Sequence, residues 1–218
     1  QLKFKDRLKI YVFPKIAILL NSIGVSWERL GNSQLNKGVM LGQTKNLSNF
    51  IIDKNNKPQN IYVLLMLSGS TFHLYIETLL ALGLKKKGHK VTFIIDDNTL
   101  PIHELKKIGD EDNWDYQAQK DFLYASKYLT DLGLNFIPTS KFVEDYLEFK
   151  FHKKYNSILE ATLLKQYKVG VISDDLPKLK EKTALVETAI GITHAIGERL
   201  IQVKPDMVIM SHGIYSTW

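Results

Sequence analysis

One stretch of the sequence limits the fold more than any other, the unbroken apolar run at residues 61–67. It has the length of a strand, and Ser68, Gly69 and Ser70 end it. Apolar residues on both faces of a strand are typical of a parallel sheet that helices cover on both sides. The run therefore predicts a buried strand at the centre of an α/β domain.

The residues after this run complete a β-loop-α-β unit. Residues 74–87 carry apolar side chains at helical spacing, and Gly88 is a C-cap that ends the helix. Residues 91–95 predict a second strand, with Asp96 and Asp97 at its carboxyl end. Strand, helix and strand in this order form the right-handed unit of a doubly wound fold.

The later sequence continues the alternation of strands and helices. We predict helices at 115–132, within 141–167 and at 181–203, and strands at 134–137, 169–173 and 207–210, the last one buried. The fold class is therefore α/β, a Rossmann-like, doubly wound and mostly parallel sheet. A chain of 218 residues has room for one such domain, at 59–218, and for an N-terminal extension with its linker at 1–58.

The excess positive charge lies entirely in the extension. Residues 1–60 hold ten Lys and Arg against three acids, whereas residues 61–218 hold 19 against 20. The apolar run at 10–23 is interrupted by Pro14 and Lys15, so it does not predict a transmembrane helix. A packed helix with a basic end and a segment that lies against anionic lipid are the two interpretations. Because the folded part is nearly neutral, nucleic-acid binding is not favoured.

Several kinds of site are excluded or unsupported. Cysteine is absent, which excludes disulfides, thiolate nucleophiles and cysteine metal sites. His103, His152 and His194 show no metal-ligand spacing, so we expect no metal. The loop after the first strand lacks the three glycines of the dinucleotide motif, and no Walker loop follows any strand.

Ligands of open α/β sheets bind outside the carboxyl ends of the strands. Those positions hold His73 at the start of the first helix, which is a candidate to contact a ligand. His89, at the opposite edge, is predicted to be structural. The predicted substrate-binding residues are Ser68, Gly69, Ser70, Thr71, Asp97, His212 and Gly213.

Two parts of the sequence resemble the N-terminal half of GT-B glycosyltransferases, a fold in which two Rossmann-like halves face each other. The resemblance covers about residues 60–97 and 198–214. It is carried by Gly69-x-x-x-His73, by Gly88-His89-x-Val91-Thr92-Phe93 and by Pro205-Asp206 ahead of an apolar strand.

The resemblance implies that His73 is the general base that deprotonates an acceptor hydroxyl, which then attacks the anomeric carbon of a nucleotide sugar. Family members with a dyad supply an Asp from a later loop, but the comparable loop here reads Ser211-His212-Gly213. Glu77, one helical turn after His73, is the substitute, although this spacing more often gives a surface pair. The donor nucleotide would be held mainly by a C-terminal half, so we expect this fragment to be inactive alone.

The resemblance thus predicts a glycosyltransferase of surface-polysaccharide or glycoconjugate assembly. Its substrates would be a nucleotide sugar and a glycan or lipid-linked acceptor, with no metal, in the cytoplasm and at the inner membrane face. Two alternatives stay open. A sugar-nucleotide epimerase of the same fold would need carboxylates in the cleft, and a non-enzymatic Rossmann-like binding module would use the first loop as ordinary structure.

If residues 1–58 lie against anionic lipid, their deletion should abolish binding to anionic vesicles. We expect the 218-residue chain to float with vesicles that contain anionic lipid and the chain without residues 1–58 to stay in solution, because the deletion removes the basic residues. Neutral vesicles are the control. Equal flotation of both chains with anionic vesicles would contradict this interpretation.

Overall fold

A four-stranded parallel sheet forms the centre of the part that the computed structural model describes, which is residues 57–65, 71–101, 114–144 and 151–210 together with Val12. The strand order is β3-β2-β1-β4, and every neighbouring pair is parallel. The strands are β1 (Asn60–Leu65), β2 (Lys90–Ile95), β3 (Asn135–Pro138) and β4 (Met207–Met210). The Rossmann-like α/β class predicted from the sequence is confirmed for these residues.

The described helices alternate with the strands along the chain. The extension at 1–58 lies outside the described residues, apart from Val12, Lys57 and Pro58. A 3-10 turn, Lys153–Tyr155, precedes the fourth helix. The helices are α1 (Thr71–Lys86), α2 (Trp114–Asp131), the single turn α3 (Thr139–Phe142), α4 (Asn156–Tyr167) and α5 (Leu179–Val203).

Both faces of the sheet are covered, as the apolar run of β1 predicted. Ile61, Val63 and Leu65 pack with α1 and α2 in one core, which includes Leu74 and Leu129. The alternate residue Leu64 packs with α4 and α5 in a second core, which includes Leu163 and Ile190. Because successive side chains of a strand point to opposite faces, one strand contributes to two cores. The result is three layers, with helices on either side of the sheet.

The helices α1, α2 and α4 end in the same backbone motif. The sequence predicted this kind of end for α1. After α1, Gly88 has φ +93° and its N–H donates to Lys85 O, while His89 N donates to Leu84 O at 3.1 Å. This 5→2 and 6→1 pair of bonds is the Schellman motif, which satisfies the last carbonyl groups of a helix. Gly133 repeats the motif after α2, so both glycines turn the chain towards the next strand.

The strand predicted at 169–173 is wrong. Lys168 adopts φ 56° and ends α4, and Val169 N donates to Leu164 O at 3.2 Å. Val169 is therefore the residue that completes the helix-ending motif, and Val171 is 76% exposed. The short apolar segment connects α4 to α5 outside the described sheet.

The strand at 207–210 is confirmed, but its predicted burial is wrong. Met207, Val208 and Met210 are 44%, 39% and 41% exposed, because β4 pairs only with β1 in the described part of the chain. An apolar strand sequence predicts burial only where neighbouring elements cover both of its faces and edges. β4 is thus an edge strand of the described sheet.

Replacement by alanine should have opposite effects on stability at two glycines, Gly83 inside α1 and Gly88 just after it. Gly88→Ala should lower the free energy of unfolding by about 1–2 kcal/mol, because a Cβ disfavours the left-handed backbone there. Gly83→Ala, inside α1, should raise it by about 0.5–1 kcal/mol, because alanine is the better helix former. A Cβ at either position meets nothing within 4 Å, so the difference comes from the backbone alone. Urea unfolding measures both, and a shift of the same sign would contradict this account.

Candidate functional site

The strand order defines one crevice at the carboxyl edge of the sheet. β2 and β3 add on one side of β1, whereas β4 adds on the other, so the direction of winding reverses between β1 and β4. Ligands of open α/β sheets bind at this switch point, outside the carboxyl ends of the two strands. The loops that leave β1 and β4 contain Ser68, Gly69, Ser70, His212 and Gly213, and these five predicted site residues lie outside the described residues.

His73 lies beside this crevice. It is the third residue of α1, the helix that follows β1, and it is half-buried. Thr71 is the first residue of the same helix. Since α1 has 16 residues, its N-terminus also brings a positive dipole end to this edge. The fold therefore puts an imidazole and an anion-attracting helix end at the same place.

Glu77, the predicted substitute for the missing Asp, is more buried than its spacing from His73 suggests. That spacing more often gives a surface pair, but Glu77 is only 5% exposed. It lies on the side of α1 that carries the buried residues Leu74, Thr78 and Ala81. Its place in the apolar stripe at positions 74, 78, 81 and 82 was the signal available in the sequence.

Asp97, predicted to bind substrate, holds two loops of the protein together. Thr99 Oγ1 donates to Asp97 Oδ1 at 2.6 Å, and Ser140 N donates to the same oxygen at 3.1 Å. The Ser140 hydroxyl donates to Asp97 Oδ2. Ser140 lies in the first turn of α3, so this carboxylate joins the carboxyl end of β2 to the helix after β3.

Further bonds close the β2 and β3 side of the same edge. Asp96 is 4% exposed, and its Oδ1 accepts from Leu100 N at 3.1 Å. Thr139 is fully buried, and its Oγ1 donates to Ile95 O at 2.9 Å. These groups fix the loops after β2 and β3 to the sheet. The β1 and β4 side is the candidate ligand site because it is the switch point of the sheet.

The amino edge of the sheet is fixed as well, and the structural role predicted for His89 is confirmed. His89 is 8% exposed, and its Nδ1 accepts from Gln59 N at 3.2 Å. Asp206 Oδ2 accepts from Asn60 N at 2.6 Å, and Asp206 N donates to Asn60 O at 2.9 Å. These bonds join the starts of β1, β2 and β4 and so help to fix the register of these strands.

The remaining described histidines belong to other parts of the fold than α1. His152 is exposed in the segment before α4, and His194 lies on α5, where Tyr155 Oη and His194 Nδ1 are 3.1 Å apart. Within the described ranges, no group of three or more His, Asp and Glu side chains could hold a metal ion. No helix in those ranges has the length and apolarity needed to cross a membrane.

Comparison of the chain with protein-family models, with curated proteins and with solved structures gives no match. The candidate site is therefore defined by its own geometry: the winding reversal between β1 and β4, and the start of α1, which carries His73.

The bonds of Asp97 predict a cost in stability when its carboxylate is removed. Asp97→Ala should lower the free energy of unfolding by about 1–2 kcal/mol, because the Ser140 N–H and two hydroxyl groups lose their acceptor. Asp131→Ala is the matched control, since Asp131 only pairs with Lys127 on the surface of α2 at 2.9 Å. It should cost less than about 0.5 kcal/mol. Urea unfolding that ranks the two variants equally would refute a stabilising role for Asp97.

Proposed function

We propose that the chain is the acceptor-side half of a GT-B glycosyltransferase. One observation supports this most directly. His73 lies in the first turn of the helix after β1, beside the winding reversal between β1 and β4, which is where open α/β sheets bind ligands. The reaction class comes from the likeness of residues 60–97 and 198–214 to that family, and it is a proposal for this chain.

The proposed reaction requires a base at this position. A ring nitrogen of His73 takes the proton of the acceptor hydroxyl, and the hydroxyl oxygen forms a bond to the anomeric carbon of the donor sugar. The bond from that carbon to the nucleotide breaks, and its electron pair leaves with the terminal phosphate oxygen. The proton remains on the imidazole until solvent removes it. Imidazole suits this step because its ordinary pKa lies close to neutrality.

The surroundings of His73 fit a hydroxyl acceptor. The half-buried ring is accessible to a ligand, while the N-terminus of α1 supplies N–H donors that can hold a hydroxyl or a phosphate oxygen. In the proposed arrangement the donor nucleotide is held mainly by a facing half of the fold. The predicted contacts from Ser68, Gly69, Ser70, Thr71, His212 and Gly213 would complete the acceptor side. Asp97 is a weaker candidate, because its carboxylate already binds Thr99 and Ser140.

The proposal predicts loss of transfer when His73 is replaced. In a polypeptide that carries both halves, His73→Ala should reduce the rate of sugar transfer by about 10²–10⁴-fold, because the general base is removed. The assay uses a panel of radiolabelled nucleotide sugars with glycan and lipid-linked acceptors, and circular dichroism verifies folding. His152→Ala is the control, since His152 is exposed and lies in the segment before α4.

The outcomes of this assay separate the alternatives. Unchanged turnover of folded His73→Ala would refute the base. An epimerised nucleotide sugar that forms without an acceptor would show an epimerase instead. A panel in which no nucleotide sugar is bound or converted would favour a binding module.

A further inference from the structure

Lysines that are far apart in the sequence meet at the amino edge of the sheet. Lys57 precedes β1, Lys90 is the first residue of β2, and Lys204 lies between α5 and β4. All three side chains are exposed. Because the strands are parallel, their starts lie side by side at one edge, and the lysines that precede or begin them are gathered there.

Hydrogen bonds between the strand starts hold these segments close together. Lys90 N donates to Gln59 O at 2.8 Å, so Lys90 lies beside the segment that carries Lys57. Asp206 N donates to Asn60 O at 2.9 Å on the other side of β1. The backbones of β2 and β4 are therefore two strand spacings apart, about 10 Å. Salt screens exposed charges over a similar distance, so the lysines reinforce one another.

The end of α1 adds further positive charge to this edge. Residues 85–87 are all lysines, and they form the end of α1 and the position after it. The Lys85 ammonium donates to Gly133 O in the turn before β3. Lysines at the carboxyl end of a helix interact favourably with its dipole, which is reason enough for them in α1. That reason does not apply to Lys57 or Lys90, which lie outside helices.

The acids of the amino edge do not balance its lysines. The described segments at this edge, 57–60, 85–90, 131–135 and 203–207, hold six lysines against two aspartates. Asp206 Oδ2 accepts from Asn60 N at 2.6 Å, and Asp131 pairs with Lys127 at 2.9 Å. The segments that follow β2 and β3 at the carboxyl edge, 96–101 and 139–144, hold three acids against one lysine. The charge of the described fold is thus asymmetric, although the sequence from residue 61 onwards is nearly neutral.

Two exposed apolar side chains lie on either side of Lys204 in the chain. Ile201, in the last turn of α5, is 68% exposed, and Met207, at the start of β4, is 44% exposed. Proteins that lie on a membrane surface combine lysines at the level of the lipid phosphates with apolar side chains that enter the layer beneath. A nucleic-acid backbone offers charge to the lysines but no apolar layer for such side chains. The combination therefore favours lipid.

We propose that the amino edge of the sheet lies against an anionic lipid surface. The lysines contact lipid phosphates, Ile201 and Met207 enter the layer beneath the headgroups, and the crevice at the carboxyl edge faces away from the membrane. Residues 1–58 lead into β1 at this same edge, so the basic extension is attached on the lipid side. The extension supplies most of the attraction, and the edge sets the orientation of the folded domain.

This orientation does not depend on the proposed reaction. One consequence does rest on that reaction: a crevice that faces away from the membrane favours a glycan acceptor over a lipid-linked one. The tests below measure lipid binding and orientation without any sugar. Their failure would leave the proposed reaction untouched, and failure of the transfer assay would leave the lipid-binding edge in place.

Binding of the 218-residue chain to vesicles tests the role of the edge. Lys87→Gln combined with Lys90→Gln should lower the partition coefficient on phosphatidylglycerol-containing vesicles by about 10–30-fold, because each lysine near an anionic leaflet contributes about five-fold. The matched control combines Lys141→Gln with Lys180→Gln. These two lysines are exposed in the first turns of α3 and α5, at the other edge, and the change in net charge is the same. The control should lower the partition coefficient by less than about three-fold.

Three outcomes would overturn the proposal. The first is an equal loss of binding in the two double variants, since net charge rather than the edge would then govern it. The second is an unchanged partition coefficient when circular dichroism shows that the variant at positions 87 and 90 is folded. The third is a loss of affinity of this variant for a double-stranded RNA oligonucleotide with vesicle binding unchanged, which would make nucleic acid the partner.

A fluorescent label shows which edge meets the lipid. The chain has no cysteine, so Ile201→Cys and Val171→Cys each introduce a single thiol. Val171 is the matched position, because it is 76% exposed and precedes α5, whereas Ile201 is near the end of that helix. On anionic vesicles, an environment-sensitive fluorophore at position 201 should shift its emission to the blue, and one at 171 should not. The reverse result, or no shift at either position while the chain is bound, would overturn the proposal.

Discussion

The pairing of β1 with two parallel neighbours is the constraint on which the rest of the structure depends. All six residues of β1 are in register with β2, and four of them are in register with β4. Because β1 is apolar on both faces, neither face can be left to water, and helices must cover both. The same two pairings place the winding reversal at β1. The strand that takes part in both pairings therefore also determines where the crevice lies.

Hydrogen bonds fix the strands to one another at both edges of the sheet. His89 and Asp206 join the starts of β1, β2 and β4 at the amino edge. Asp97 and Thr139 join the ends of β2 and β3 at the carboxyl edge. The winding reversal between β1 and β4 lies at the same carboxyl edge, and α1 brings His73 to it.

The position of α1 links the fold to the proposed chemistry. This helix packs on the sheet through the apolar residues that predicted it, and its first turn is at the crevice as a consequence. The helix that fills the core thus also presents an imidazole. The sixteen residues of α1 therefore contribute both to the core and to the candidate site.

Local sequence patterns predicted much of this fold, because the elements concerned depend on residues that are close together in the chain. The apolar runs at 61–67 and 91–95 predicted β1 and β2, and Gly88 predicted the end of α1 through the backbone freedom of glycine. The sequence also predicted His73 at the start of that helix. Each of these features depends on neighbours within a few positions along the chain.

Tertiary structure alone decided the features that depend on distant residues. Asp97 is bound by Ser140, which is 43 positions away, and no local pattern predicts that partner. The apolar strand β4 is exposed and residues 169–173 form no strand, since the burial of a segment depends on the elements beside it. Glu77 is buried for the same reason. The sequence by itself determined the strands β1, β2 and β4 and the long helices α1, α2 and α5, because their patterns are local. The packing of those segments decided which side chains are removed from water.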